Sequence, residues 1–151
     1  DRVEAVLRET GCDPSTVRLA VEITESELMH DVAHASEVLA RLKALGLLVY
    51  VDDFGTGYSS LAYLQRLPLD TLKIDQSFVQ GLGESPGALS LVKAIIALAS
   101  GLGLQVIAEG VETEAQLAVL RELGCGVAQG FFFSRPVPAE ELTARLRAPG
   151  R

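Results

Sequence analysis

Leu47-Leu48-Val49-Tyr50-Val51-Asp52-Asp53-Phe54-Gly55 is the stretch that decides the fold. Residues 47–51 carry no alternation of apolar and polar positions, which reads as a parallel strand covered on both faces. The run then stops on two adjacent carboxylates. The same ending recurs along the chain. Arg18-Leu19-Ala20-Val21-Glu22-Ile23-Thr24-Glu25 ends on acids, as do Thr71-Leu72-Lys73-Ile74-Asp75 and Gln105-Val106-Ile107-Ala108-Glu109-Gly110-Val111-Glu112. A fifth run, Val127-Ala128-Gln129-Gly130, ends in an amide. The strands are expected at 18–23, 47–51, 70–74, 104–108 and from about 126.

Helical patterns separate them. Residues 31–45 place Val32, Leu39, Leu42 and Leu45 near helical period, and Gly46 stops them. Further helices are expected over 3–10, up to Leu67 from Ser59 and Ser60, over 88–100, from the N-cap Thr113 to Leu123, and over 139–147. Residues 80–87 read as a Gly/Ser/Pro loop. Strand-helix-strand units cross over right-handedly and set every strand C-terminus on one side. Two architectures follow: an open doubly wound sheet, or part of a (β/α)8 barrel. In both the working site lies at the C-terminal ends of the strands, where the acids gather. A full barrel takes about 250 residues, and this chain has 151.

The totals narrow the chemistry. With 48% hydrophobic and 22% charged residues the chain is globular, and we expect a single domain over 1–151. A net charge of −7 argues against a DNA or RNA polymer as partner, because such binding relies on basic neutralisation of phosphates. A phosphorylated small molecule stays open, since bound metal reverses the local sign. Cys12 and Cys125 form no metal-binding spacing and read as reduced thiols of a cytoplasmic protein. No basic-then-apolar leader opens the chain. The most membrane-like stretch, 88–108, is interrupted by Lys93 and Gly101-Leu102-Gly103, so no membrane insertion is expected.

The acids suit hard divalent cations. Asp52 and Asp53 would point to opposite faces of a regular strand, but a backbone turn at the strand end, eased by the flanking glycines, lets both reach one site. Two cations about 3.5–4 Å apart need a shared oxygen ligand, which either residue can supply. An acidic loop with an Asx turn is the plainer alternative. Glu22 reads as the last inward position of its strand, and Glu25 as a loop or helix-start residue. Lys73, one of three lysines against ten arginines, sits at the end of an apolar strand, where an unpaired ammonium would be costly. It either orients a water or forms a structural salt bridge to Asp75 or Glu22. Glu109 can serve as ligand or general base, while Glu112 also suits a helix N-terminus. Asp53-Phe54-Gly55, Gly55-Thr56-Gly57 and His30-Asp31-Val32-Ala33-His34 imitate kinase, dinucleotide and zinc motifs, but each lacks the partners its chemistry needs.

In order along the chain, Glu22-Ile23-Thr24-Glu25-Ser26, Asp52-Asp53-Phe54-Gly55-Thr56-Gly57-Tyr58-Ser59-Ser60, Leu72-Lys73-Ile74-Asp75, Phe78-Val79, Ala108-Glu109-Gly110-Val111-Glu112, Gln129-Gly130-Phe131 and Ser134-Arg135-Pro136 closely resemble the EAL-domain family of cyclic di-GMP phosphodiesterases. The resemblance implies a TIM-type (β/α)8 barrel, here a partial one of about five parallel strands. It implies Mg²⁺- or Mn²⁺-dependent hydrolysis of cyclic di-GMP to linear pGpG. By carry-over Glu22, Asp52, Asp53 and Glu109 are metal ligands, and Lys73 and Glu109 hold and activate the attacking water. Asp75 and Glu112 support them, and Gln129 lines the site. Glu25 anchors the loop 55–60, which in this family couples the site to dimerisation. A homodimer and fusion to upstream sensor or GGDEF-type domains are the implied partners. The Glu-Ala-Leu signature and the Asn-bearing strand after it are absent. The chain is therefore expected to be the C-terminal portion of the domain, inactive in isolation. The alternatives are a catalytically inactive binding or interaction module, a non-functional fragment, and an unrelated metal phosphatase on an open sheet.

Overall fold

The computed structural model describes residues 2–56 and 61–147. Ser59 and Ser60, from which a short helix was expected, lie outside the described residues. Helix α1 (Arg2–Thr10) precedes strand β1 (Ala20–Thr24), which passes directly into α2 (Glu25–His30) and then α3 (Val32–Ala44). Strand β2 (Leu48–Phe54) leads to α4 (Leu61–Leu64) and β3 (Thr71–Ile74). Helices α5 (Gln76–Gln80) and α6 (Pro86–Gly101) return the chain to β4 (Gln105–Ala108). Then come α7 (Glu114–Glu122), β5 (Val127–Ala128) and α8 (Ala139–Arg147).

All strand pairs are parallel and the sheet order is β1-β2-β3-β4-β5. That order decides between the two architectures. A doubly wound sheet reverses its strand order at a switch point, whereas each strand here lies beside its predecessor, as around a (β/α)8 barrel. The protein is a five-stranded arc of such a barrel. Register aligns the strand ends: Thr24 lies beside Asp52, Phe54 beside Ile74, Ile74 beside Ala108, and Ala108 beside Ala128.

One face of the arc is the core. Val49, Val51, Leu72, Ile74 and Ala108 are buried there with Leu28 and Leu39 of the early helices, Val92 and Ile95 of α6, and Leu117 and Leu120 of α7. Each such aliphatic burial contributes about 1.5–3 kcal/mol, and together they fix which side of every strand faces the helices. By strand alternation the opposite face carries Leu48 and Tyr50, Thr71 and Lys73, and Ile107. At the N-terminal rim, Asp70 accepts both Lys43 Nζ, at 2.7 and 2.8 Å, and the Val49 backbone N–H at 2.7 Å. This ties α3, β2 and the entry to β3.

Four elements differ from expectation. β2 runs three residues further, through Asp52-Asp53-Phe54, because a bulge keeps it paired. Helix α5 forms where no apolar period announced it, because Asp75 caps it by accepting the Ser77 N–H. Helix α4 ends at Leu64, and residues to Leu67 form turns in which Leu67 N–H donates to Leu64 O. Helix α6 starts two residues early, with Ser85 as N-cap and Pro86 in its first turn.

Gly130 shows how tightly the rim closes. Its φ is +155°, and a Cβ there would sit 2.2 Å from Val111 O and 2.3 Å from Val111 N. Gly101, at the end of α6, would gain a Cβ that meets nothing. Gly130→Ala should therefore destabilise the protein by about 3 kcal/mol or more, and Gly101→Ala should be neutral or stabilising by up to about 1 kcal/mol. Urea unfolding of the two variants checks the contrast.

Candidate metal and catalytic site

A bulge builds the centre of the site. Val51 pairs with Leu72 and Phe54 with Ile74, so β2 places two residues, Asp52 and Asp53, where β3 has only Lys73. Asp53 takes up the extra residue with φ +52°, the left-handed region that costs a non-glycine residue roughly 1–2 kcal/mol and that aspartate tolerates better than most. The strain thus sits on Asp53 itself, besides Gly55 at φ +102°. The bulge also returns Phe54 to the buried face, where it is 5% exposed. Both neighbouring carboxylates reach one place: ligand atoms of Asp52, Asp53 and Glu109 all lie within 4.8 Å of one another.

Lys73 organises the acids around it. Its Nζ lies 2.9 Å from Glu22 Oε2, Asp52 Oδ1 and Glu109 Oε1, contacts to three different strands or strand ends. The Lys73 side chain is 6% exposed, against 49% for Glu22, 25% for Asp52 and 15% for Glu109. Burial alone would depress the ammonium, but its close pairing with the carboxylates of Asp52, Glu109 and Glu22 outweighs that and holds Lys73 well above its ordinary value. The salt bridge runs to Glu22, Asp52 and Glu109; none to Asp75 is found among the described residues. Burial raises Glu109 first of all; Lys73 opposes this, while the charges of Asp52 and Glu22 add to it. Asp53 is raised by desolvation and by the charges of Asp52 and Asp75.

The remaining candidates surround this cluster. Glu25, 2% exposed at the start of α2, accepts the Gly55 N–H at 2.8 Å, directly after β2. Asp75 accepts from Ser77 N–H and Ser77 Oγ. Gln129 Nε2 donates to Glu109 Oε1, the same oxygen that Lys73 contacts. That oxygen is doubly engaged, so Oε2 is the freer atom of Glu109. The Glu112 backbone N–H donates to Gln116 Oε1 at 2.8 Å beside the capping box of α7. Asp53, Asp75, Glu109, Glu112 and Gln129 line one cavity of about 730 Å³, within the range of small-molecule sites. Glu22, Asp52 and Lys73 are not among its lining residues; the Glu22 Oε2 is turned to Lys73. Phe131, Arg135 and Arg145, which line the same cavity, received no role from the sequence. The one signal was Arg135, a cation within a few residues of the fifth strand's end.

The donor set fits a divalent metal. It is oxygen only, which suits Mg²⁺, Mn²⁺ or Ca²⁺ rather than soft metals. Asp52 Oδ1 is buried and lies 2.9 Å from Lys73 Nζ, yet accepts no well-directed hydrogen bond. The distance establishes an ion pair, and the missing direction leaves the oxygen with capacity for a cation. Asp52, Asp53 and Glu109 would hold it.

An arc of (β/α)8 barrel with a carboxylate cluster at the C-terminal rim that could hold a metal ion defines the class of the protein. The chain belongs to the EAL domain family, whose model matches residues 1–136. Among relatives, cyclic di-GMP phosphodiesterase NbdA of Pseudomonas aeruginosa is 48% identical over 148 residues, 98% of this chain and 19% of that protein. The structure of the PaMucR phosphodiesterase in complex with c-di-GMP superimposes with a TM-score of 0.88 at 46% identity, covering 93% of this chain and 56% of that one. The EAL domain of Mycobacterium smegmatis DcpA gives 0.86 at 46% identity, covering 95% and 64%. The chain therefore spans about a fifth of NbdA and less than two thirds of either solved chain. Among the described residues no helix is long and apolar enough to cross a membrane.

Two outcomes follow from the charges. Lys73→Ala leaves three carboxylates without their cation. It should destabilise the metal-free protein toward the lower end of the roughly 3–5 kcal/mol for a broken buried pair, because Glu22 and Asp52 are partly open to water; urea unfolding reads it. Second, the metal-free fold holds protons on Asp53 and Glu109 above the usual carboxylate range near 4. The stability that those protons confer is present at low pH and lost as pH rises through the raised values. Metal must displace them, so Mn²⁺ binding should release more protons near pH 5 than near pH 7.5, and affinity should fall with acidification. Calorimetry in buffers of differing ionisation enthalpy measures the release.

Proposed function

We propose that the site hydrolyses one phosphodiester bond of cyclic di-GMP, giving linear pGpG. The observation that carries the reading is the position of Lys73 among Glu22, Asp52 and Glu109, next to the ligand atoms of Asp52, Asp53 and Glu109. Membership of the EAL family supports the substrate. Two Mg²⁺ or Mn²⁺ ions, when bound, supply Lewis-acid polarisation of the phosphodiester and a more acidic water. Asp52, Asp53 and Glu109 hold them, with Glu22 as a further ligand.

The chain's own groups do the rest. Lys73 points its ammonium into the cluster, orients the attacking water and balances the negative charge gathered at phosphorus. Glu109, with Oε1 fixed by Lys73 and Gln129, presents Oε2 to accept the water proton. The water oxygen bonds to phosphorus as Glu109 takes its proton, the P–O3′ bond breaks, and the leaving O3′ takes a proton from solvent water, with Glu109 returning its own to solvent. Asp75 and Glu112 bias the charge of the cavity, and Gln129 keeps Glu109 in place. Glu25, through Gly55, ties the loop after β2 to the site. The same reading carries a homodimer coupled through that loop, fusion to sensor or GGDEF-type domains, and a cytoplasmic setting.

The gene-length polypeptide carrying this chain and the 151-residue chain itself should be assayed with cyclic di-GMP and Mn²⁺, following pGpG. Turnover by the gene-length protein is expected, with kcat reduced at least about 100-fold by Glu109→Gln or Asp52→Asn. Absence of turnover in the gene-length protein overturns the reading. Tight cyclic di-GMP binding without metal and without turnover would assign a receptor instead.

A further inference from the structure

The cavity that Asp53, Asp75, Glu109 and Glu112 line is lined as well by Phe131, Ser134, Arg135, Pro136, Val137 and Arg145. This stretch is built. The backbone turns tightly after Gly130: Phe132 N–H donates to Val111 O, and Phe133 and Ser134 N–H donate to Gly130 O. From α8, Arg145 Nη1 donates to Ser134 Oγ at 2.8 Å, and Ser134 Oγ donates to Arg135 O at 2.8 Å. Arg145 also pairs with Glu141, so its guanidinium is committed to holding the loop.

Arg135 is placed differently. Its Cζ lies 4.6 Å from the centroid of the Phe131 ring, a stacked cation–π arrangement. Among the described residues no carboxylate pairs with it. In a chain of net charge −7, an arginine laid on an aromatic face and lining a cavity with four carboxylates, Asp53, Asp75, Glu109 and Glu112, keeps its fork of donors for something else. Phe131 is 50% exposed, an unusual state for a phenylalanine ring in a cavity wall, and offers a stacking surface.

Resting on the phosphodiesterase reading above, the geometry points to Arg135, stacked on Phe131, as a specificity-determining residue that reads a guanine base of the substrate. A flat fork of N–H donors matches the O6 and N7 acceptors of guanine in a bidentate pair. Adenine presents an amino donor where guanine has O6 and is rejected there. The base lies against the Phe131–Arg135 platform while the scissile phosphate lies toward Asp53 and Glu109, which line the same cavity. A phosphate contact is the competing use of a guanidinium. It would not need the aromatic face, and lysine could serve it as a point charge.

The test uses the gene-length polypeptide carrying this chain, as wild type, Arg135→Ala and Arg135→Lys. Three quantities are read: steady-state hydrolysis of cyclic di-GMP, calorimetric binding of cyclic di-GMP against cyclic di-AMP, and hydrolysis of bis(p-nitrophenyl) phosphate, a diester with no base. Arg135→Ala should raise KM for cyclic di-GMP about 5- to 150-fold, the fold equivalent of one bidentate base pair. It should leave kcat within about threefold, leave the small diester unchanged, and lose most discrimination against cyclic di-AMP. Arg135→Lys should recover little of either, because it lacks the fork. Unchanged KM overturns the inference, as does full recovery by lysine, which would mark a phosphate contact. A parallel fall in small-diester hydrolysis also overturns it, since the effect would then be on the metal-side chemistry or the fold. If the wild type binds cyclic di-GMP but does not cleave it, the phosphodiesterase reading fails while the binding arm still decides on Arg135. If it neither binds nor cleaves, both fail.

Discussion

Lys73 carries one positive charge and shares it among three carboxylates that come from β1, β2 and the end of β4. Everything at the C-terminal rim depends on that sharing. A buried ammonium is unfavourable alone and a crowd of carboxylates is unfavourable alone; each becomes tolerable because of the other. The arrangement also sets the electrostatic character of the site. Without metal the balance still leaves excess negative charge, and burial first, with that charge added to it, makes Asp53 and Glu109 hold their protons more strongly than free side chains do. The rim is therefore preorganised for added positive charge, with the residual repulsion as part of the driving force.

The apolar face of the sheet holds that cluster in place from behind. Val49, Val51, Leu72 and Ile74 are packed under the helices, so the parity of each strand is fixed by burial. Lys73 lies between the two core residues Leu72 and Ile74 and has no choice but to face the other way. In this sense the position of the ammonium is a by-product of packing. The Asp70–Lys43 pair does comparable work at the opposite rim, where it fixes the entry of β3 against Val49.

How much of this was legible in the sequence follows from the range of the forces. The strands and the larger helices could be read, because burial imposes periodicity directly on residues such as 47–51 and 32–45. The rim acids could be read as a group because parallel topology places strand ends together. Helix α5 could not, since its cause is a single cap, Asp75, and not a pattern. The bulge was half legible. Two adjacent aspartates at a strand end suggested a departure from alternation, but assigning the unusual dihedral to Asp53 rather than to the glycines needs the pairing of Val51 and Phe54 with β3. The stacking of Arg135 on Phe131 was beyond sequence reading, since cation and ring are neighbours in a loop with no periodicity to orient them. The same holds for the partition of Glu109, with one oxygen engaged by Lys73 and Gln129.

The bulge has a mechanical consequence. Upstream of it, odd-numbered residues of β2 face the helices; downstream, the even-numbered Phe54 does. The strand changes phase at the pair of aspartates, and Phe54 is the anchor that holds the second phase. Glu25 grips the next residue, Gly55. A pull on the loop beyond β2 would thus be transmitted as torsion, because Phe54 cannot leave its pocket without turning Asp53 about the chain axis. The strand end works as a short crankshaft, with an apolar journal, a carboxylate throw, and the loop as its handle.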